Sequence, residues 1–347
     1  MTDPATTCAI ETLRRSWRVG ELLDAPAVTR LRGIGFLGVL GPGPKADPRD
    51  SRFAHSVMVA NLVAGVAQRL GLDGDAARCG IAAGLLHDAG NRAMSHTLEA
   101  AFDAVSGTRG RDLTRDIVLS VSPRRVPRPY GVRSILLRIG IDPTRVWNLL
   151  DKAQRQPREP ADRVMFTWFR SALSPDTLDG IARAAGLLGQ PCPAPSAVAS
   201  TIELGALAMP GIRHESLEVT DSFWSAKQRV YDERINSPSA VTLERAWAGA
   251  GACVLSRRPA ARLFELRDEA VRDQIRSAVG HSERGVPNSR QAELFDERFP
   301  LRFRPPSRYW VAEGALRDRA WIELGATRLR YRTRVATPWV DTDDVDA

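Results

Sequence analysis

The run from Gly84 to His96, GLLHDAGNRAMSH, closes an apolar stretch with an adjacent histidine and aspartate, in a chain that holds only five histidines. Gly80 to Leu86 carry no charge, so this His-Asp pair places two ligating groups at the edge of a core. Upstream, SRFAHSVMVANLVAGVAQRLGL (51 to 72) reads as a long, mostly buried helix with His55 near its start. Downstream, SPDTLDGIARAA (174 to 185) opens a helix whose first turn holds Asp176, where the helix dipole favours an acid. His55, His87, Asp88 and Asp176 together offer two imidazoles and two carboxylates. A divalent metal in a mixed nitrogen and oxygen site needs such groups converging from several helices.

The rest of the chain fits a mostly helical protein. At 347 residues, 43% hydrophobic and 26% charged, it has the composition of an ordinary globular protein. No window approaches the roughly 18 uncharged apolar residues of a membrane span. The N-terminus lacks the pattern of a secretory signal. Cys8, Cys79, Cys192 and Cys253 are far apart, which suggests reduced thiols and a cytoplasmic location. The net charge of +8 comes almost wholly from arginine, which suits anionic partners but also fits a high-GC codon preference.

A polar start leads into apolar positions Leu22, Leu23, Val28, Leu31 and Ile34 at roughly helical spacing, and GPGPKADPRD (41 to 50) is a loop by composition. Helices are expected over Leu72 to Asp88 and 91 to 105. Two short ones follow in RSILLRIGIDPTRVWNLLDKA, the second entered at Asp142-Pro143. Further helices are expected over Val164 to Leu173, Pro175 to Leu188 and 221 to 235. From about residue 300 the texture turns to short aromatic and β-branched runs, which predict two or three strands. In TRLRYRTRV, Arg328, Arg330, Arg332 and Arg334 alternate with apolar or small residues and share one strand face. The tail DTDDVDA reads as disordered. The division expected is a main domain over 1 to 240 and a helical and β extension over 241 to 347.

The order His, His-Asp, Asp resembles the HD-domain superfamily of metal-dependent phosphohydrolases. TRLRGIGFLG, SRFAHS, GLLHDAGNRAMSH and SPDTLDGIARA are similar to the deoxynucleoside-triphosphate triphosphohydrolase branch, whose members read roughly QRLR-I-QLG, NRFEHS, LLHDxGHxPFSH and DADRLDYLxRD. The resemblance covers about residues 20 to 235. It implies an HD-type helical bundle in which His55, His87, Asp88 and Asp176 bind one divalent metal ion (Mn, Mg, Fe or Co), and Arg52 touches substrate phosphate. Arg52 and His55, three apart, share a helix face, so the spacing agrees. His96 matches a family histidine able to protonate a leaving group, with Glu99 placed to orient it. Lys227 and Arg229 fall where the family often places phosphate-binding cations.

The departures are as specific as the matches. Asn91 replaces the second histidine of HDxGHxPFSH, and Asp112 stands near the place of a later catalytic histidine. Asparagine cannot shuttle a proton near neutral pH. Phe36, Gly180 and Ala184 replace sugar-reading glutamine, tyrosine and aspartate, which argues against an ordinary deoxynucleotide pocket. The leading expectation is a hydrolase acting on a nucleotide or another phosphate ester through a metal-activated water; a phosphodiesterase is a second enzymatic reading. From another class, a weakened HD protein could bind nucleotide or nucleic acid in a regulatory role, through Arg124, Arg125 and Arg128 and the four-arginine strand. Family members often form homo-oligomers, though no residue here speaks to assembly.

Overall fold

The computed structural model describes residues 3 to 279, except 73, 123, 152, 155, 158, 206–209, 214–215 and 259, and beyond them the segments 307–308, 321–323 and 329–330. The fold is mostly α, as expected, with a few short strands. Helix α1 (Pro4–Trp17) occupies what reads as a polar start. Asp3 caps it by accepting from the Thr6 amide at 3.1 Å, and its buried apolar side is only Ala9 and Leu13, too thin a stripe to announce a helix.

The centre is α2 (Arg52–Arg69), capped by Ser51, whose hydroxyl accepts from the Ala54 amide at 3.1 Å. It is buried on nearly every side, which explains its weak apolar periodicity. Helix α3 (Gly74–Leu86) crosses it closely. A Cβ on Gly84 would sit 3.0 Å from the Ala60 Cα and 3.1 Å from its nitrogen, so glycine lets the two backbones touch there.

After α3 the chain turns instead of continuing helical from residue 91. Met94 (φ 62) and Ser95 (φ 46) adopt left-handed conformations before α4 (Ser95–Ser106) begins. Such conformations are costly for non-glycine residues and persist only where neighbours enforce them. Here Asp268 accepts from the Met94 amide at 2.6 Å and Arg52 donates to the Ser95 hydroxyl at 3.0 Å. The turn also needs Gly90: its amide donates to the Thr114 hydroxyl at 3.1 Å, and a Cβ there would lie 2.1 Å from the Gly110 carbonyl.

Helices α5 (Gly110–Leu119), α6 (Pro143–Leu150), α7 (Pro160–Arg170) and α8 (Pro175–Leu187) follow. Asp142 and Ser174 cap α6 and α8, each with proline at the first helical position. A hairpin that periodicity did not signal joins β1 (Ile202–Leu204) to β2 (Pro210–Arg213), with Ile202 opposite Ile212. Strand β3 (Ser307–Arg308) pairs with β5 (Leu329–Arg330), and β4 (Trp321–Glu323) pairs with β2. Arg328, Arg332 and Arg334 and the acidic tail lie outside the described residues.

Helix α9 (Leu217–Val230) runs into a π turn (Tyr231–Ile235), then come α10 (Pro238–Leu255) and α11 (Asp268–Val279). The expected division at residue 240 falls inside α10. Trp247, Ala248, Leu255, Val271 and Ile275 share an apolar cluster with Ala93, Leu98, Ala101 and Phe102, so α10 and α11 pack on α4. No helix among the described residues is long and apolar enough to cross a membrane.

Candidate metal centre and cleft

The first turn of α2, the end of α3 and the first turn of α8 bring His55, His87 and Asp176 together, with one ligand atom of each within 4.8 Å of the others. His55 Nε2 lies 3.0 Å from Asp176 Oδ1 and 3.1 Å from His87 Nε2. Asp88 Oδ2 lies 3.5 Å from His87 Nε2 and 3.8 Å from His55 Nε2. Three of the sequence-predicted ligands therefore meet at one point, and Asp88 stands beside them, within 4 Å of both imidazoles.

The far side of each ring decides what this point can hold. His55 Nδ1 faces Asp179 Oδ2 at 2.7 Å and His87 Nδ1 faces the Gly84 carbonyl at 2.8 Å. Both partners accept, so both Nδ1 atoms carry the proton and both Nε2 atoms face inward, where a bound metal would take their lone pairs in place of a proton. Two imidazole nitrogens and two carboxylate oxygens then gather there, with Asp88 Oδ2 also accepting from Arg52, and a cation suits that arrangement. Bonds of about 2.0–2.2 Å to one ion set neighbouring ligands roughly 3–3.5 Å apart, close to the separations seen. Burial would push the His55 imidazole down, but the hydrogen bonds to Asp176 and Asp179 outweigh it and hold its pKa above the usual value. The cluster attracts positive charge.

Asp179 and Arg183 were not singled out by sequence, yet they complete the site. Arg183 donates to Asp179 at 2.9 and 3.2 Å, and Asp179 fixes the His55 tautomer, the carboxylate–histidine arrangement common behind metal ligands. The signal was present: Asp176, Asp179 and Arg183 stand three and four residues apart on α8, one helix face. Burial raises the Asp179 carboxyl, but Arg183 and His55 overcome this and hold it below the usual range.

Beside the cluster opens a cleft of about 320 Å³, lined in part by Arg52, His96, Asp176 and Lys227. Arg52 is buried and spans the site, donating to Asp88 at 2.8 Å, Ser95 at 3.0 Å and the Phe36 carbonyl at 3.0 Å. Of its five N–H groups two remain for a ligand. Burial pushes the Asp88 carboxyl up, yet Arg52, His87 and His55 prevail and hold it well below the usual range. Lys227 is 6% exposed. It has no carboxylate within ion-pair distance among the described residues; its ammonium stands 5.0 Å from the Trp224 ring and 6.0 Å from the Tyr231 ring. Burial pushes it down to about 8, with Asp176 opposing the shift. A buried, unpaired ammonium on a cleft wall suits an anion. His96 is at the rim, its Nδ1 3.1 Å from Glu99 Oε2, with that bond holding the Glu99 carboxyl below its usual value.

Two expected residues lie elsewhere. Arg229, two positions beyond Lys227, faces about 200° around the helix and donates to the Pro191 carbonyl at 3.2 Å. Asp112 caps α5, accepting from the Arg109 amide at 3.4 Å, and lines a separate cavity with Arg109, Arg111 and Arg115. In the proline-arginine loop, Arg125 is committed to buried Asp116 at 2.8 Å, which removes one cation from the nucleic-acid surface expected there. Phe36 fills the glutamine position with an aromatic ring, its centroid 4.7 Å from that of His55 and 4.6 Å from the Arg52 guanidinium carbon.

Residues 52–121, the segment holding Arg52, His55, His87 and Asp88, match the HD domain family. The match covers 70 of the 347 residues, and the helices around it extend the fold on both sides. No curated protein matches the chain. Among solved structures, a phosphohydrolase from Bacteroides thetaiotaomicron VPI-5482 is similar with a TM-score of 0.54 at 17% identity, over 79% of this chain and 64% of its own. A hypothetical protein from Aquifex aeolicus gives a TM-score of 0.60 at 18% identity, over 80% of this chain and 70% of that one. The chain therefore spans slightly less than two thirds of the Bacteroides protein.

Proposed function

We propose that the protein is a metal-dependent phosphohydrolase that cleaves a phosphate ester, with His55, His87, Asp88 and Asp176 holding one divalent cation. One observation carries the reading: two inward imidazole nitrogens and the Asp176 carboxylate meet, with Asp88 beside them, at the end of a cleft that also presents Arg52 and a buried, unpaired Lys227. A divalent ion there would acidify a water and offset charge on the phosphate. The protein's own groups do the rest. Arg52 and Lys227 bind the phosphate oxygens and orient the ester. Asp179, anchored by Arg183, keeps the His55 lone pair aimed inward. Water oxygen bonds to phosphorus, the bond from phosphorus to the organic oxygen breaks, and His96, oriented by Glu99, delivers the proton that oxygen needs. The products are an alcohol and inorganic phosphate.

Resemblance to the triphosphohydrolase branch makes nucleotides the first esters to try, although Asn91, Phe36, Gly180 and Ala184 depart from that branch. The test is release of phosphate and pyrophosphate from ribo- and deoxynucleotides, cyclic nucleotides and simple phosphate esters, each with Mn²⁺, Mg²⁺, Co²⁺ and Fe²⁺, beside Asp88→Ala. Turnover lost in the variant is the expected result. Metal binding with no turnover of any ester overturns the reading in favour of a regulatory binding protein.

A further inference from the structure

The cleft is graded along its length, and this grading, taken with the proposed hydrolase reading on which it rests, specifies what the phosphate is attached to. On α8, Asp176, Gly180 and Ala184 succeed each other at four-residue spacing, with Ile181 beside them, and all four line the cleft. On the facing wall Lys227, Tyr231 and Ile235 do the same along α9 and its π turn. Both stripes begin charged, at the metal cluster, and become apolar within two turns. At a rise of about 1.5 Å per residue, Ala184 lies roughly 12 Å along the helix axis from Asp176. Leu37 and Leu40 add further apolar lining. Around Ala184, a small cluster of Ala185, Val230 and Ile235, with Phe36, Leu37 and Tyr231 packed on it, forms the floor.

A nucleoside would meet this end badly. Its ribose hydroxyls and base edges would face Gly180, Ile181, Ala184 and Ile235, where Thr177 and Tyr231 supply the hydroxyls of the lining. Polar groups buried without partners are penalised strongly, whereas apolar groups gain by leaving water. Gly180 leaves room: a Cβ there would meet Phe36 at only 3.4 Å and His55 at 3.8 Å, ordinary contact distances. A volume of about 320 Å³ is at the small end of ligand pockets.

We infer that the substrate is a small phosphate monoester whose organic part is an apolar alkyl or aryl group, seated between the α8 stripe and the Lys227–Tyr231–Ile235 stripe with its phosphate at Arg52 and Lys227. Hydrolysis converts R–O–PO₃²⁻ and water to R–OH and HPO₄²⁻, with no other reactant.

Calorimetric binding of methyl-, butyl- and hexylphosphonate to the full chain with Mn²⁺, beside adenosine and deoxyguanosine monophosphates, tests this directly. The expected result is affinity rising about fourfold per buried methylene, with both nucleotides weaker than hexylphosphonate. Ala184→Asp, which puts a carboxylate in the apolar end, is expected to flatten that ladder; should this variant fail to fold, the wild-type ladder still decides. A flat wild-type ladder, or nucleotides that bind more tightly than hexylphosphonate, overturns the inference. Phosphate release from hexyl phosphate separates the two readings. A steep ladder without release supports the apolar specificity and removes the hydrolase; release that ignores chain length keeps the hydrolase and removes the specificity.

Discussion

Asp179→Asn separates the orienting role of a buried carboxylate from its role in holding the fold. Asp179 accepts from His55 Nδ1 at 2.7 Å and from Arg183 at 2.9 and 3.2 Å, and the side chains of Asp179 and Arg183 are 6% and 8% exposed. Asparagine is the same size but keeps one acceptor and turns the other group into a donor. If its oxygen serves His55, its amide nitrogen confronts the Arg183 guanidinium; if it serves Arg183, His55 loses the partner that fixes its tautomer. Loss of such a partner behind a metal-bound histidine typically costs 10- to 100-fold in metal affinity, about 1.4–2.7 kcal/mol. Breaking a buried ion pair on one side also destabilises by about 3–5 kcal/mol. Titrating Co²⁺ or Mn²⁺ calorimetrically into both proteins reads the first effect and urea unfolding without metal reads the second. Arg183→Gln is the control, since it removes the ion pair but leaves Asp179 on His55. Its stability should fall while metal affinity changes less than in Asp179→Asn. Metal affinity of Asp179→Asn within twofold of the parent, in a folded protein, would refute the orienting role.

Gly84→Leu forces α2 and α3 apart at a backbone contact of about 3 Å and should lose about 1–3 kcal/mol in urea unfolding. Asp268→Ala leaves the buried Gly35 and Met94 amides without their acceptor, at about 1–3 kcal/mol each, and amide exchange at those two positions should accelerate more than exchange within α4. Sulfate, which does not titrate in this range, should bind through the charged form of Lys227. With the ammonium pushed down to about 8, affinity should hold below that pH, fall as pH rises through it, and lose this dependence in Lys227→Met.

The fold and the approach of His55, His87 and Asp176 to one another were legible because they are written in local patterns. A buried helix ending in His-Asp and a proline-entered helix with an acid in its first turn are local signals, and both occur where expected. What was not legible depends on contacts across the chain. The left-handed pair at Met94 and Ser95 follows from Asp268 and Arg52, which lie 174 and 43 residues away from the atoms they hold. The hairpin at 202–213 has strands of three and four residues, too short for alternation to register. Arg229 and Asp112 were assigned to the site from loose or neighbouring positions in a motif, and helix geometry turned each away from it. Asp179 was missed for the opposite reason: its spacing was visible, but only the structure shows that it meets the far side of an imidazole.

The charges around the cleft explain why its apolar end should govern choice of substrate. Asp88, Asp176 and Asp179 bring three negative charges, and Arg52, Arg183 and Lys227 bring three positive ones. Apart from the rim pair His96 and Glu99, these charges balance. A divalent cation alone would leave this partly buried region at plus two, and a phosphate monoester dianion alone at minus two, and uncompensated charge in such surroundings is costly. Together they restore neutrality, so each should raise the affinity of the other by the same factor. Under the proposed function, every phosphate ester would enjoy that shared contribution equally. Discrimination among esters is then left to the groups beyond the phosphate, where Gly180, Ile181, Ala184 and Ile235 offer an apolar surface and little to hydrogen-bond a sugar.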